Sequence, residues 1–286
     1  MKNIAITGGR GRLAAGVATH LRGAGNQVVL FSRKGDGNFR DVSSLARPEV
    51  LRTYDVVLHL GWSTVPMVSE ENPGIEEVQD FPYVRNLVAA ARQCEENPKL
   101  IFFSTAAVYG NTGDQAVMEE GICRPLGRYA VAKLEAERLC LDYDNACVLR
   151  ITNVFSAGCP LTRPQGIIPV LLRAVRTGGV VEIWGDGTAV KDYIAAPDIH
   201  RAAEAAIVTD LRGVFNVSSG CSFSVNDLIS LVEEACGRSI VRTCGPHHPW
   251  DVMVSHVSSE KLRRRTGWGP RLSPDDSVRE LVRQEG

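Results

Sequence analysis

The chain has 286 residues, 44% of them apolar, and a formal net charge of −1. That composition can bury a sizeable core, and it excludes a disordered chain or a broadly basic nucleic-acid binder. No apolar run approaches a membrane span, and eight cysteines without a C-x-x-C pair read as reduced thiols in a cytoplasmic setting rather than a disulfide or zinc scaffold.

In chain order, NIAIT (3–7) is a short apolar strand. TGGRGRLAAG (7–16) follows it, and residues 11–24 carry helical periodicity. A glycine-rich turn between strand and helix is the context that a dinucleotide pyrophosphate needs. There Gly8 permits the tight turn, Gly11 lets backbone approach the phosphates, and Ala14 fills the small packing position. QVVLF (27–31) is the second strand. At its end, where NAD-binding proteins place a ribose-binding carboxylate, the chain has Ser32, Arg33 and Lys34. A guanidinium there clamps a 2′-phosphate, so the expectation is NADP(H), with NAD open through Asp36 in the next loop.

DVVLHL (55–60), KLIFFS (99–104) and ACVLRI (146–151) continue the strands, with helices predicted near 76–96 and 126–144. This alternation predicts an α/β fold, a doubly wound parallel sheet of Rossmann type. IFFSTAAVYG (101–110) ends a strand in hydroxyls, at the edge where such sheets bind ligands. GRYAVAKLEAERL (127–139) puts Tyr129 and Lys133 four apart on one helix face. An ammonium near a phenol favours the phenolate, which predicts a lowered Tyr129 pKa and a usable acid/base.

Beyond Pro160, Pro164 and Pro169, which mark a looping exit, the spacing predicts helices near 166–177, 198–208, 224–236 and 273–284, with strands at 180–184 and 214–217. KLRRR (261–265) reads as a solvated helix face. The expected division is a cofactor-binding domain over 1–155 with a return segment near 189–217, and a substrate domain over 156–188 and 218–286. A metal site from His247, His248 and Asp251 in GPHHPWD lacks a ligand pattern, so none is expected.

TGGRGRLA, STAAVYG and YAVAK, in that order, resemble the extended short-chain dehydrogenase/reductase family. LRITNVF (149–155), GVVEIWGDGTAVKDYIAAPDI (179–199), FNVSSGCSFSV (215–225) and GWGP (267–270) extend the likeness over nearly the whole chain. The nearest outline is the branch of nucleotide-sugar epimerases, dehydratases and reductases typified by UDP-glucose 4-epimerase. The resemblance implies that Tyr129 is the acid/base, that Lys133 holds the nicotinamide ribose, and that Thr105 contacts the substrate hydroxyl. It implies a pyrophosphate turn at Gly8, Gly11, Arg12 and Leu13, adenine contacts at Asp41 and Val42, and cofactor contacts at Leu60 and Gly61. Asn153 and Lys191 fall where the family touches the substrate phosphates, Lys191 replacing an arginine. Asp80 stands where many members have asparagine near the nicotinamide, and the family's nucleotide-contacting arginine before Asp251 is missing from GPHHPWD. The family often forms a homodimer through a four-helix bundle, here the segments near 76–96 and 126–144.

The family's dehydratases, decarboxylases and 3,5-epimerases carry acidic or cysteine side chains after the catalytic hydroxyl; this chain has Ala106 and Ala107. Hydride transfer with one acid/base remains. The leading expectation is NADPH-dependent reduction of a nucleotide-activated ketosugar, with C4 favoured by analogy. The alternative is a UDP-sugar 4-epimerase retaining NAD, and a third reading, of another class, is a non-catalytic NADP sensor.

Overall fold

A computed structural model describes residues 1–155 and 166–284, with side chains described to residue 280. β1 (Asn3–Thr7) leads through α1 (Arg12–Gly23) to β2 (Gln27–Ser32), β3 (Arg40–Asp41) and two one-turn helices, α2 (Val42–Leu45) and α3 (Pro48–Leu51). β4 (Val56–His59) is followed by α4 (Pro66–Glu71), α5 (Ile75–Gln79) and α6 (Phe81–Arg92). Then come β5 (Lys99–Thr105), α7 (Arg128–Leu141), β6 (Ala146–Ile151) and β7 (Asn153–Phe155). The later elements are α8 (Ile167–Thr177), β8 (Val180–Trp184), β9 (Val190–Ala195), α9 (Ala196–Val208) and β10 (Gly213–Val217). The described chain closes with β11 (Ser222–Ser224), α10 (Val225–Cys236), β12 (Val241–Gly245), β13 (Val254–Ser255), α11 (Glu260–Thr266) and α12 (Pro274–Gln284).

Among the described residues, seven strands form one parallel sheet in the order β3–β2–β1–β4–β5–β6–β10. The register sets Ile4 beside Val28 on one side and Val56 on the other. The strands are apolar on both faces because helices cover both. Ile4, Ile6, Leu58 and Leu149 face α1 and α9, where Val17, Leu21, Ile199 and Ala203 meet them. Ala5, Val57, Phe102 and Val148 face α6 and α7, against Val84, Leu87, Ala136 and Cys140. The chain winds outward in both directions from β1 and β4, so their carboxyl ends leave a crevice for a ligand.

The helix expected over 76–96 is broken. α5 stops at Gln79, Asp80 turns inward, and α6 restarts with Pro82 in its first turn, where the missing amide costs nothing. The segment after residue 188 forms a strand unforeseen in the sequence: β9 pairs with β7, β11 and β13 in a second sheet. Its core joins Leu171, Ile183, Tyr193, Leu228 and Val232. The basic run KLRRR lies in α11 with Leu262 buried, Arg263 and Arg264 on Glu260, and Lys261 on Glu120. Pro160 and Pro164 of the expected looping exit lie outside the described residues. Among the described residues, no helix is long and apolar enough to cross a membrane.

Candidate active site

The turn from β1 into α1 is built from backbone. Gly8 has φ +71°, and a Cβ there would lie 2.8 Å from the Gly61 amide, so the first and fourth strands approach main chain to main chain. The Gly11 amide donates to the Gly8 carbonyl at 2.7 Å. Gly11 caps α1 without a side chain, leaving the amides of the first turn open to an anion. The Gly61 amide donates to Thr7 Oγ1 at 3.0 Å, and the same hydroxyl lies 2.6 Å from His59 Nδ1. These bonds hold the ends of β1 and β4 together under the crevice.

A cavity of about 230 Å3 follows this turn, lined by Gly8, Gly11, Leu13, Leu60, Thr105, Tyr129 and Lys133 among others. Six residues expected around a cofactor and Thr105, expected at the substrate hydroxyl, therefore meet there. Arg12 is exposed on the first turn of α1, and Gly61 abuts Gly8. Asp41 caps α2 by accepting from the Ser43 amide at 2.8 Å, and it adjoins Ser32 across the β2–β3 pair with Val42 next to it.

The corner at the end of β2 differs from the expected clamp. Ser32 is buried, and its hydroxyl donates to the Lys34 carbonyl. Arg33 is exposed and donates to Gln79 Oε1 at 2.8 Å. Arg10, which the sequence reading passed over, donates to Ser32 Oγ at 3.3 Å, pairs with Asp36 and lies over the Phe39 ring. The only signal was an arginine between the glycines of the turn.

Thr105 ends β5 and caps the short 3-10 turn Ala106–Tyr109, accepting from the Ala107 amide at 3.2 Å. Tyr129 and Lys133 project from α7 into the same cavity. Lys133 is buried; its ammonium donates to the Phe103 carbonyl at 3.0 Å and sits 4.1 Å from the centre of the Trp62 ring. Burial lowers its pKa to about 7, against the pull of Asp80. Tyr129 runs opposite to expectation: burial, with the carboxylates of Glu76 and Asp80, pushes its phenol up to about 12. The one-turn spacing brought the pair together, but the two acidic side chains from α5 and the α5–α6 break were not visible from it.

Those carboxylates are held in place. Asp80 accepts from the Ser63 amide at 3.1 Å and from its hydroxyl, while Glu76 accepts from Thr64 Oγ1 at 2.6 Å. Thr64 in turn accepts from the Trp62 indole at 3.1 Å, which fixes the ring beneath Lys133. Trp62 was legible only as an aromatic directly after the Leu60–Gly61 strand end.

A second, larger cleft of about 620 Å3 opens on the other side of Thr105 and shares Thr105, Ile151, Thr152 and Val154 with the first. Asn153 and Lys191 both line it. The Asn153 amide donates to the Asp192 carbonyl at 3.0 Å, and the Lys191 ammonium pairs with Asp251 at 2.5 Å. At the margin, His248 stacks on Trp250 with 4.5 Å between centroids and meets Trp184 edge-on at 4.3 Å.

The family model described as NAD dependent epimerase/dehydratase matches residues 4–218. A UDP-glucose 4-epimerase of Corynebacterium glutamicum is 27% identical over 296 residues, covering 93% of this chain and 90% of that protein. The structure of MoeE5 in complex with UDP-glucuronic acid and NAD superposes with a TM-score of 0.82 at 26% identity, covering 99% and 100% of the two chains. A UDP-glucose 4-epimerase of Thermotoga maritima, solved with UDP-glucose, gives a TM-score of 0.86 at 25% identity, covering 98% and 97%.

Proposed function

The chain belongs to the NAD-dependent epimerase/dehydratase family, and we propose that it interconverts the C4 epimers of a nucleotide-activated sugar. It is an enzyme of the short-chain dehydrogenase/reductase type. One observation carries the proposal: Thr105 stands on the wall common to the cofactor-shaped crevice and the larger cleft, with Tyr129 and Lys133 beside it and only methyl side chains at Ala106 and Ala107. That set can move one proton at a sugar hydroxyl, and Ala106 and Ala107 place no acid or base directly after Thr105, where the family's dehydratases and 3,5-epimerases carry one.

The crevice fits a nicotinamide dinucleotide, because the glycine turn presents amides where a Cβ at Gly8 would collide with main chain. Gly8, Gly11, Arg12 and Leu13 would hold its pyrophosphate, Asp41 and Val42 its adenine, and Leu60 and Gly61 its path along β4. When bound, the nicotinamide supplies the hydride acceptor and donor for the sugar carbon. Lys133 would hold the ribose nearest the reaction. Tyr129, protonated as it stands, is set to give its proton to a C4 carbonyl oxygen. Taking a proton from a C4 hydroxyl requires the phenolate, which the Lys133 ammonium favours and the Glu76 and Asp80 carboxylates oppose. Thr105 orients that oxygen, and Asn153 and Lys191 receive the nucleotide end.

NAD complexes among the relatives support NAD as the cofactor. A second reading, NADPH-dependent reduction of a ketosugar, is favoured by the β2 corner, where Arg33 and Lys34 are exposed and the nearby Asp36 is neutralised by Arg10. The proposal extends to the division of the chain, with 1–155 and the 189–217 return forming the cofactor half and 156–188 with 218–286 the substrate half. It extends also to a homodimer through α6 and α7, where Val131 is 52% exposed; sedimentation tests that. The test of function is to incubate the protein with NAD and UDP-glucose and follow the 4-epimer by proton NMR. Epimer formed by the wild type and lost in Tyr129→Phe supports the reading; stoichiometric consumption of NADPH by a ketosugar, without epimer, replaces it with the reductase.

A further inference from the structure

Lys133 carries its amine where a charge is disfavoured. It is 4% exposed, and its ammonium donates to the Phe103 carbonyl at 3.0 Å. Burial opposes the charged form, while Asp80, and Cys140 and Glu137 from its own helix, favour it. His59 faces it from β4 and is kept neutral by burial and by Lys133 itself. The carboxylates close by are engaged elsewhere: Glu137 accepts from Arg150 and Ser104, Asp80 from Ser63, and Glu76 from Thr64.

Aromatic faces surround the ammonium. It lies 4.1 Å from the centre of the Trp62 ring, 4.7 Å from that of Phe102 and 6.0 Å from that of Tyr129, within reach of a cation–π attraction, for which indole is the strongest partner. The Trp62 ring is fixed. Its N–H donates to Thr64 Oγ1 at 3.1 Å, and that hydroxyl donates to Glu76 Oε1 at 2.6 Å. Phe81 meets the ring edge-on with 6.4 Å between centroids, and Phe102 packs at 6.0 Å. Trp62 also lines the crevice with Tyr129 and Lys133. An aromatic face attracts a cation at short range through its quadrupole and carries no net charge. A carboxylate against Lys133 would offset the field that favours the Tyr129 phenolate, whereas an indole leaves that field whole.

We infer that Trp62 is a positioning residue for the Tyr129–Lys133 pair: its indole face holds the buried Lys133 as an ammonium ion beside the phenol and takes the place of a charged counter-ion. The consequence for turnover rests on the reaction proposed above; the hold on the ammonium does not.

The experiment titrates Lys133 in the protein without added dinucleotide, by the carbon NMR shift of its ε-methylene, assigned through the loss of that signal in Lys133→Met. Trp62→Phe keeps a weaker aromatic face, and Trp62→Leu, close to it in volume, removes the face; cooperative thermal unfolding checks that both fold. The midpoint is expected to fall from the wild type to Trp62→Phe and again to Trp62→Leu, the last step by about 1 pH unit. A Trp62→Leu midpoint equal to or above that of Trp62→Phe overturns the inference. Should the variants fail to fold, wild-type protein grown on fluorinated tryptophan decides it. Fluorine draws charge from the ring face at nearly constant shape, so the midpoint is expected to fall, and an unchanged midpoint overturns the inference. With NAD and the nucleotide sugar, the limb of the kcat pH profile that reports proton removal from the sugar hydroxyl is expected about 1 pH unit higher in Trp62→Leu than in Trp62→Phe, because a neutral lysine no longer favours the phenolate. A loss of kcat equal at every pH reduces Trp62 to packing and overturns the inference. If the wild type epimerises no nucleotide sugar, the epimerase reading fails, while the Lys133 titration still decides the role of Trp62.

Discussion

Replacing Glu137 should weaken the whole fold, because its carboxylate anchors a buried network that takes in Ser104, the neighbour of Thr105, and stands one turn beyond Lys133 on α7. Glu137 and Arg150 are 1% and 7% exposed. Arg150 donates from Nε to both carboxylate oxygens at 3.1 Å and from Nη2 at 2.7 Å, and Ser104 Oγ donates at 2.5 Å. Arg150 also reaches the Tyr109 hydroxyl at 2.9 Å, which donates to Asn216 at 2.7 Å. Glu137→Ala strands a buried guanidinium, at a cost of about 3–5 kcal/mol, and removes the Ser104 partner for about 1 kcal/mol more. At roughly 2 °C per kcal/mol for a chain of this size, thermal unfolding followed by circular dichroism should show Tm falling by about 10 °C. The double change Glu137→Leu with Arg150→Met removes both charges and should cost less than Glu137→Ala alone. A Tm shift below about 2 °C for Glu137→Ala, or a double variant as unstable as the two single changes summed, would refute the reasoning.

The remaining predictions concern the titrating groups and the cofactor corner. Tyr129→Phe should reduce kcat by about 100-fold or more while leaving dinucleotide binding intact, measured by turnover and calorimetry. Lys133 is lowered by burial to about 7, below its value of about 10.4 in an unfolded chain. The unfolded chain binds the extra proton between those values, so this residue makes stability rise with pH across that window. Lys133→Met should flatten the rise in Tm between neutral and alkaline buffers; an identical slope in both proteins contradicts it. Burial and Lys133 lower His59 to about 3, so its contribution is lost as pH falls from about 6.5 towards that value. His59→Gln should make acid unfolding shallower, read from the pH dependence of Tm. Arg33→Ala should raise the dissociation constant for NADP by about 10-fold more than that for NAD if the β2 corner takes a 2′-phosphate; equal effects on both assign the corner to the surface.

The parallel sheet and its crevice were legible because continuous apolar strands and one glycine turn leave few other arrangements. Ile4 and Ala5 pointing to opposite helix layers follows from strand geometry alone. Tyr129 and Lys133 were legible as neighbours because one helix face carries both, and their meeting with Thr105 was implied by the family resemblance rather than by spacing. What surrounds them was not. Asp80 enters the site only because α5 and α6 part there, and a period-based reading of 76–96 carries no sign of an inward turn. Burial first, and then the Glu76 and Asp80 carboxylates, raise the Tyr129 phenol, and none of these is set by residues close to it in sequence, so the sign of its shift was missed. Arg10 reached Ser32 and Asp36 for the same reason: the β1 turn and the β2 end become neighbours only when the two strands pair. The β9 segment was read as a motif rather than a strand because its partners β7, β11 and β13 come from three distant stretches.

The central claim is a hydride that leaves C4 and returns to it, so the most direct measurement counts cofactor against product. NAD is supplied far below the concentration of the nucleotide sugar, the 4-epimer is quantified by NMR, and the absorbance of reduced nicotinamide is followed in the same sample. The account predicts many turnovers of sugar per dinucleotide with no net build-up of reduced cofactor. One dinucleotide consumed for each sugar converted, or conversion only when NADPH is supplied in stoichiometric amount, would contradict it.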